Sequence, residues 1–407
     1  MALTKGSAPY RRLTLAMLFA GFSTFSLLYS AQPLLPLFAR TFGLSAEGAS
    51  LAVGIATGPL AVGILFAGAL SDRWGRRPMM VGAMYLAGGF SLLTAAAPNW
   101  PALLVLRFAT GVALAGVPAV AMAYVSEEVD PASIGSAMGL YIAGSAIGGM
   151  AGRLGVSLLT DVIGWRGAVA GVGIAGLTMA EMFRRLAPAS RHFVASQHSP
   201  VAIARSFRAL LRDPAMPLLF AEAFVLMGVF VSIYNYAGFR LMAAPYRLNH
   251  AQVGAIFLLY LLGSASSAWF GGVAGRLGRR LIFWVPVMLL IIGVALTAAQ
   301  PLVLVIAGIG VVTIGFFGAH SIASAWVGRR ALDNRGQAAA LYLFFYYAGS
   351  SVLGSVCGIA WTRSGWIGVT WFCATLGTIA LLLGLALRRI APLRQKDVTV
   401  SKTLGTD

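Results

Sequence analysis

The chain has 407 residues, of which 59% are hydrophobic and 10% charged, with a mean hydropathy of +0.83. A water-soluble globule carries about 25% charged residues, so the composition excludes one and points to an integral membrane protein. The net charge of +18 invites a nucleic-acid partner, but the distribution of that charge speaks against one.

Twelve apolar segments are expected to cross the bilayer, at 13–38, 47–69, 79–97, 102–124, 136–159, 167–187, 215–239, 252–274, 281–299, 302–327, 337–361 and 367–388. Each is near the ~20 residues that a helix needs. With the N-terminus inside, Arg40, Arg166, Arg240, Arg247 and Arg363 fall in outer loops, and Arg107 and Arg153 fall within spans. Every other Lys and Arg falls on the inner side. This positive-inside bias sets topology. It predicts a multi-pass protein of the inner (plasma) membrane, both termini cytoplasmic, against an anionic inner leaflet. The first segment is too long for a signal-peptide core and is expected to remain as helix 1.

Helix 1 ends in Tyr29-Ser30-Ala31-Gln32-Pro33. Tyr29 and Gln32 are polar groups in an apolar span and either line a substrate path or pack beside a proline kink. After helix 2 comes Gly68-Ala69-Leu70-Ser71-Asp72-Arg73-Trp74-Gly75-Arg76-Arg77, dense charge between two membrane-length runs. Gly68 and Gly75 permit a sharp reversal, Asp72 suits a helix N-terminus, and Arg73, Arg76 and Arg77 suit phosphates and carboxylates. The loop recurs 203 residues later as Gly271 to Arg280, with Gly275 where Asp72 stood. Gly135 to Tyr141 likewise matches Gly336 to Tyr342, and Gly164-Trp165 matches Gly365-Trp366. A repeat of this length fits a transporter of two parallel six-helix halves.

Helix 4 carries Arg107 in the pattern L-x-x-x-R-x-x-T-G, from Leu103 to Gly111. A charge within a span needs a cavity, a partner or a route to the interface. Helix 5 holds Gly144, Gly148 and Gly152, four residues apart, a spacing that lets helices approach closely and suits a seam between moving parts. Arg153 follows, and its options are an anionic substrate group, Asp161 or the lipid headgroups. Val201 to Arg212 alternates apolar residues with Arg205, Arg208 and Arg212, an amphipathic helix for the inner leaflet.

Helix 7 holds Glu222, the clearest acid well inside a span, where desolvation favours the neutral form that a reversible proton carrier needs. Structural pairing is the competing reading. Tyr234-Asn235-Tyr236 near its outer end suits an amphipathic organic molecule or the interfacial aromatic belt. His320 in helix 10, with Tyr342, Tyr346 and Tyr347 in helix 11, offers a further aromatic wall, or packing. Glu127 and Glu128 either form an inner gate with Arg329 and Arg330 or neutralise arginines of their own half; the second needs no conformational cycle and is preferred.

The loop at Gly68 to Arg77 and its echo resemble the signature loop of the major facilitator superfamily, and the resemblance spans Leu13 to Arg389. It implies an all-α integral membrane fold, twelve transmembrane helices in two pseudo-symmetric six-helix bundles. It also implies that Asp72 and its arginines latch the halves, Asp72 facing the start of helix 11 near Gly336. The Leu103 to Gly111 pattern resembles the family's helix-4 motif, which implies that Arg107 senses or relays protonation. The glycines of helix 5 resemble the antiporter motif of the drug:proton branch, with Gly149 in place of its proline and Arg153 of its last glycine.

The expected organisation is a bundle over 1–187, a cytoplasmic linker over 188–214, a second bundle over 215–391 and a tail over 392–407. The expected function is proton-coupled efflux of a small organic compound by a monomer, with Glu222 and Arg107 in proton coupling. Tyr29, Gln32, Arg153, Tyr234, Asn235, Tyr236, His320, Tyr342 and Tyr346 are the candidate substrate cavity. Arg107 and Arg153 outnumber the intramembrane acids, which keeps uptake or facilitated passage of an organic anion as an alternative. A membrane sensor ranks below both, since no soluble readout domain is apparent. No P-loop, metal-ligand cluster or nucleophile–base set is visible, and Cys357 and Cys373 lie in spans. The chain is therefore not expected to be an enzyme or to need a cofactor beyond the proton gradient.

Overall fold

A bilayer offers no water to the backbone, so every crossing must satisfy its own N–H and C=O groups. The computed structural model describes residues 3–190, 200–331 and 334–391. Asp333, the linker over 191–199 and the tail over 392–407 lie outside the described residues. The described residues are helical, with one isolated bridge between Leu3 and Val129. The first half holds α1 (Ala8–Tyr29), α2 (Leu35–Phe42), α3 (Ala46–Trp74), α4 (Arg76–Ala95), α5 (Trp100–Leu114), α6 (Pro118–Glu128) and α7 (Ile134–Leu186). After α8 (Pro200–Arg212) come α9 (Met216–Met242), α10 (His250–Ala255), α11 (Tyr260–Leu277), α12 (Arg279–Ile282), α13 (Trp284–Leu296), α14 (Leu302–Arg330) and α15 (Arg335–Arg389).

Ten helical segments among the described residues are long and apolar enough to cross a membrane. Two are too long for one crossing, α7 with 53 residues and α15 with 55. At ~1.5 Å per residue each would span roughly 80 Å, against a hydrocarbon core of about 30 Å. Both break at the repeated Gly-Trp pair, Gly164 with φ +71° and ψ 169° and Gly365 with φ +59° and ψ −143°, a backbone region essentially confined to glycine. Each is therefore two crossings. The result is twelve transmembrane helices in two pseudo-symmetric six-helix halves, an all-α integral membrane fold.

The apolar surface fits a lipid solvent, with Trp371 72% and Val303 77% exposed. Three crossings are interrupted where the sequence suggests single spans. The first passes from α1 through a 3-10 turn at Gln32–Leu34 into α2, because Pro33 and Pro36 withhold backbone donors. The fourth pauses between Leu114 and Pro118, and the eighth runs from α10 through a 3-10 turn at Ile256–Leu259 into α11.

Internal contacts divide the chain into two compact units. The first is Met1–Gln197 with Tyr234–Tyr260 and Gly354–Trp366; the second is His198–Ile233 with Leu261–Leu353 and Ile367–Asp407. In the first unit the glycine stripe seats α7 on α1. A Cβ at Gly144 would lie 2.1 Å from the Leu18 carbonyl oxygen, one at Gly148 2.3 Å from that of Phe22, and one at Gly152 2.7 Å from Ser26 Cα. The close approach this stripe provides is therefore inside the first unit. The second unit repeats it about one repeat later: a Cβ at Gly349 of α15 would lie 2.1 Å from the Phe224 carbonyl of α9.

Gly148→Val is expected to lose roughly 1–3 kcal/mol through overpacking, read as a lower melting temperature in detergent. Gly155→Ala, where a Cβ meets nothing within 4 Å, is expected to leave that temperature unchanged.

Candidate functional site

The break after α1 is held by Arg107. Its Nε donates to the Ala52 carbonyl (2.9 Å), Nη1 to Leu27 (2.9 Å) and Nη2 to Leu28. Arg107 is buried and does not reach the interface. A helix end leaves carbonyls unsatisfied, and here the guanidinium fork meets the last turn of α1 while binding α3. This fixes where the chain re-enters, and so where Gln32 points.

Gln32 points at Arg153. Arg153 Nε donates to Gln32 Oε1 (2.6 Å) and Nη1 to the Gly149 carbonyl (2.6 Å). Gln32 Nε2 in turn donates to Asn235 Oδ1 (2.7 Å). The three side chains are 2–3% exposed. The Arg153 guanidinium lies 4.3 Å from the Tyr29 ring centroid, 5.0 Å from Tyr260 and 5.3 Å from Phe257. Tyr234 backs this box, stacked on Phe257 at 5.4 Å and edge-on to Tyr260 at 5.3 Å. Arg153 therefore reaches neither headgroups nor Asp161, and among the described residues no carboxylate pairs with it. Asp161 Oδ2 instead accepts from the Ala251 amide (2.9 Å).

Around this site, parts of the two sequence halves meet inside the first unit. A Cβ at Gly254 would lie 2.3 Å from Ser157 Cβ, and one at Gly358 2.5 Å from Glu47 Cα. Tyr236 donates to the Gly354 carbonyl (3.1 Å) and stacks with Trp361 at 6.1 Å. These contacts join the two sequence halves beside α2 and α10.

The second unit holds the other buried charge. Glu222 on α9 is 0% exposed, and neither carboxylate oxygen has a hydrogen-bond partner among the described residues. A Cβ at Gly384 would lie 3.5 Å from its Oε1 and 3.0 Å from the Phe283 ring, so both residues border the acid. In the same unit, Tyr342 hydrogen-bonds His320 Nδ1 (2.9 Å), and His320 stacks near Phe316 (5.8 Å) and Tyr346 (4.9 Å). Phe230 continues this wall, 4.0 Å from Phe316.

At the basic face of the first unit, Asp72 Oδ1 lies 2.5 Å from Arg76 Nη1, and Glu127 Oε1 lies 2.8 Å from Arg76 Nη2. Arg76 also donates to Ser71 and to the Gly68 carbonyl (3.4 Å). Gly75, at φ +88°, makes the turn. Arg77 caps the end of α7 through the carbonyls of Arg184 (2.7 Å) and Ala187 (2.9 Å), while Arg73 is exposed. Glu127 thus neutralises an arginine of its own half. In the second unit Arg330 pairs with Asp213 at 2.6 Å.

Phe257 and Tyr260 were not singled out by sequence. They sit three apart across the 3-10 interruption, on one face of the eighth crossing, and both rings reach Arg153.

The description of the Major Facilitator Superfamily matches residues 14–245. The chain is 43% identical over 392 residues to the inner membrane transport protein YnfM of Escherichia coli (strain K12), covering 95% of this chain and 93% of that one. It is 41% identical over 394 residues to YybF of Bacillus subtilis (strain 168), described as an uncharacterized MFS-type transporter, covering 97% and 98%. Its fold is similar to the crystal structure of the nucleoside transporter NupG, with a TM-score of 0.73 at 17% identity, over 92% of this chain and 99% of that one.

Arg107→Ala is expected to remove the side-chain donor shared by the carbonyls of Leu27, Leu28 and Ala52, lowering the melting temperature and cutting substrate exchange at least tenfold. Arg107→Lys, a cation that cannot fork three ways, is expected to recover stability only in part.

Proposed function

The chain belongs to the major facilitator superfamily and is a membrane transporter rather than an enzyme; on that premise we propose that it exports a small organic anion in exchange for protons. The observation that carries this reading is the Arg153 guanidinium, buried within a crossing beside no carboxylate among the described residues. A cation at such depth costs several kcal/mol unless a partner or cavity compensates it. An anionic substrate supplies the missing charge. The faces of Tyr29, Phe257 and Tyr260 receive an apolar or aromatic body and interact with the cation.

Glu222 is the proton carrier in this reading. A carboxylate charge without a hydrogen bond is costly in an apolar surround, so the acid is neutral when enclosed and releases its proton when its crossing opens to water. His320 and Tyr342 line a second polar patch in the same unit. Asp72, Arg73, Arg76, Arg77 and Glu127 organise the basic face through the conformational cycle, and the positive-inside bias supports a cytoplasmic side for that face. The antiporter-like glycines of α7 support export over uptake in this reading.

The test uses everted membrane vesicles with an acid interior, read by a quenched dye, with benzenesulfonate, benzenesulfonamide and benzyltrimethylammonium as anionic, neutral and cationic probes. The sulfonate alone is expected to dissipate the gradient in wild type. Glu222→Gln, fixed in its neutral form, is expected to abolish that response while still exchanging labelled sulfonate. Equal responses in both proteins would remove Glu222 from coupling. Equilibration of the sulfonate without proton movement in wild type would make the protein an anion facilitator.

A further inference from the structure

The guanidinium of Arg153 presents a half-filled fork. Its Nη1 is committed to the Gly149 carbonyl and its Nε to Gln32 Oε1, while Nη2 has no hydrogen bond among the described residues. Nε and Nη2 form the edge that a carboxylate or sulfonate takes with two oxygens at once. An anion seated on both must evict the Gln32 carbonyl. Gln32 is also the donor to Asn235, so one short side chain carries both interactions.

We propose that Gln32 couples substrate binding to the contacts between the sequence halves within the first unit: the substrate's anionic group replaces Gln32 Oε1 on Arg153, and the displaced amide lets go of Asn235. The inference rests on Arg153 being the anion site and adds the identity of the residue through which binding is felt. The two amides lie 203 residues apart, at matching positions of the sequence repeat, so the bond ties the first crossing to the seventh. Asn235 neighbours Tyr236, which holds Gly354, and Tyr234, which packs on Phe257 and Tyr260. Release of this amide therefore loosens the segment where the halves meet. Charge-assisted hydrogen bonds outweigh neutral ones, so the exchange runs towards the anion.

Linkage fixes the sign of the test. If anion binding must break the Gln32–Asn235 bond, removing that bond beforehand strengthens binding by what the bond contributed. For a neutral hydrogen bond that is roughly three- to tenfold in affinity. If Asn235 or Gln32 were merely a ligand of the substrate, its removal would weaken binding instead.

Benzenesulfonate binding to the purified full-length protein in detergent is measured by calorimetry for wild type, Arg153→Gln, Asn235→Leu and Gln32→Met. The expected result is loss of binding in Arg153→Gln and tighter binding in the other two. Gln32→Met keeps the test decisive should Asn235→Leu fold poorly. In a Ser157→Cys background, the sulfonate is expected to speed alkylation by an impermeant maleimide several-fold. With Asn235→Leu added, alkylation is expected to be fast without it. Unchanged or weaker binding in both amide variants, with Arg153→Gln still inactive, overturns the coupling role of Gln32 and leaves the anion site standing. Binding that survives Arg153→Gln, or no binding to wild type, overturns the anion site and the coupling together.

Discussion

An arginine buried within a crossing, with no counter-charge among the described residues, is the constraint that organises the first unit. Three aromatic rings surround the Arg153 guanidinium, and the proline-made interruption after α1 brings Gln32 within reach of its Nε. That interruption creates its own need, since the last turn of α1 loses helical partners. Arg107 meets it with bonds to the Leu27 and Leu28 carbonyls and ties the turn to α3 with a third, to Ala52. One buried cation thus supports the setting of another, and the glycine stripe of α7 brings α1 close enough for both.

The second unit answers the same solvent differently. Glu222 has no such scaffold: it is fully buried and the described residues give its oxygens no hydrogen bond. An arrangement optimised for stability would pair or replace such an acid, because an unsatisfied buried polar group is expensive. In the proposed function that same lack of a partner leaves the acid available to carry a proton. The sites therefore divide the chemistry, with fixed positive charge in one unit and an uncommitted acid in the other.

Much of the fold was legible because it rests on local chemistry. Apolar runs gave the twelve crossings, the Gly-Trp pairs marked the two breaks, and the spacing of Gly144, Gly148 and Gly152 announced a tight helix contact. The partner in that contact, α1, was not legible, since nothing in a stripe names what it packs against. The site was legible in its polar members, Tyr29, Gln32, Arg153, Tyr234 and Asn235, each conspicuous in an apolar span. How they meet was not, because Gln32 bonds residues 121 and 203 positions away. Phe257 and Tyr260 carried no signal at all among so many aromatics. Arg107 was legible as a charge that needed explaining, and its explanation, backbone carbonyls rather than an acid or the interface, lay in the break that Pro33 only hinted at.

The central claim is that Arg153 selects substrate by the sign of its charge. Counterflow in proteoliposomes tests it most directly, with labelled benzenesulfonate and labelled benzyltrimethylammonium exchanged against the same unlabelled compound. The account requires wild type to exchange the sulfonate and exclude the cation, and Arg153→Gln to lose the sulfonate. Exchange of the cation by wild type, or sulfonate exchange undiminished in Arg153→Gln, would contradict it.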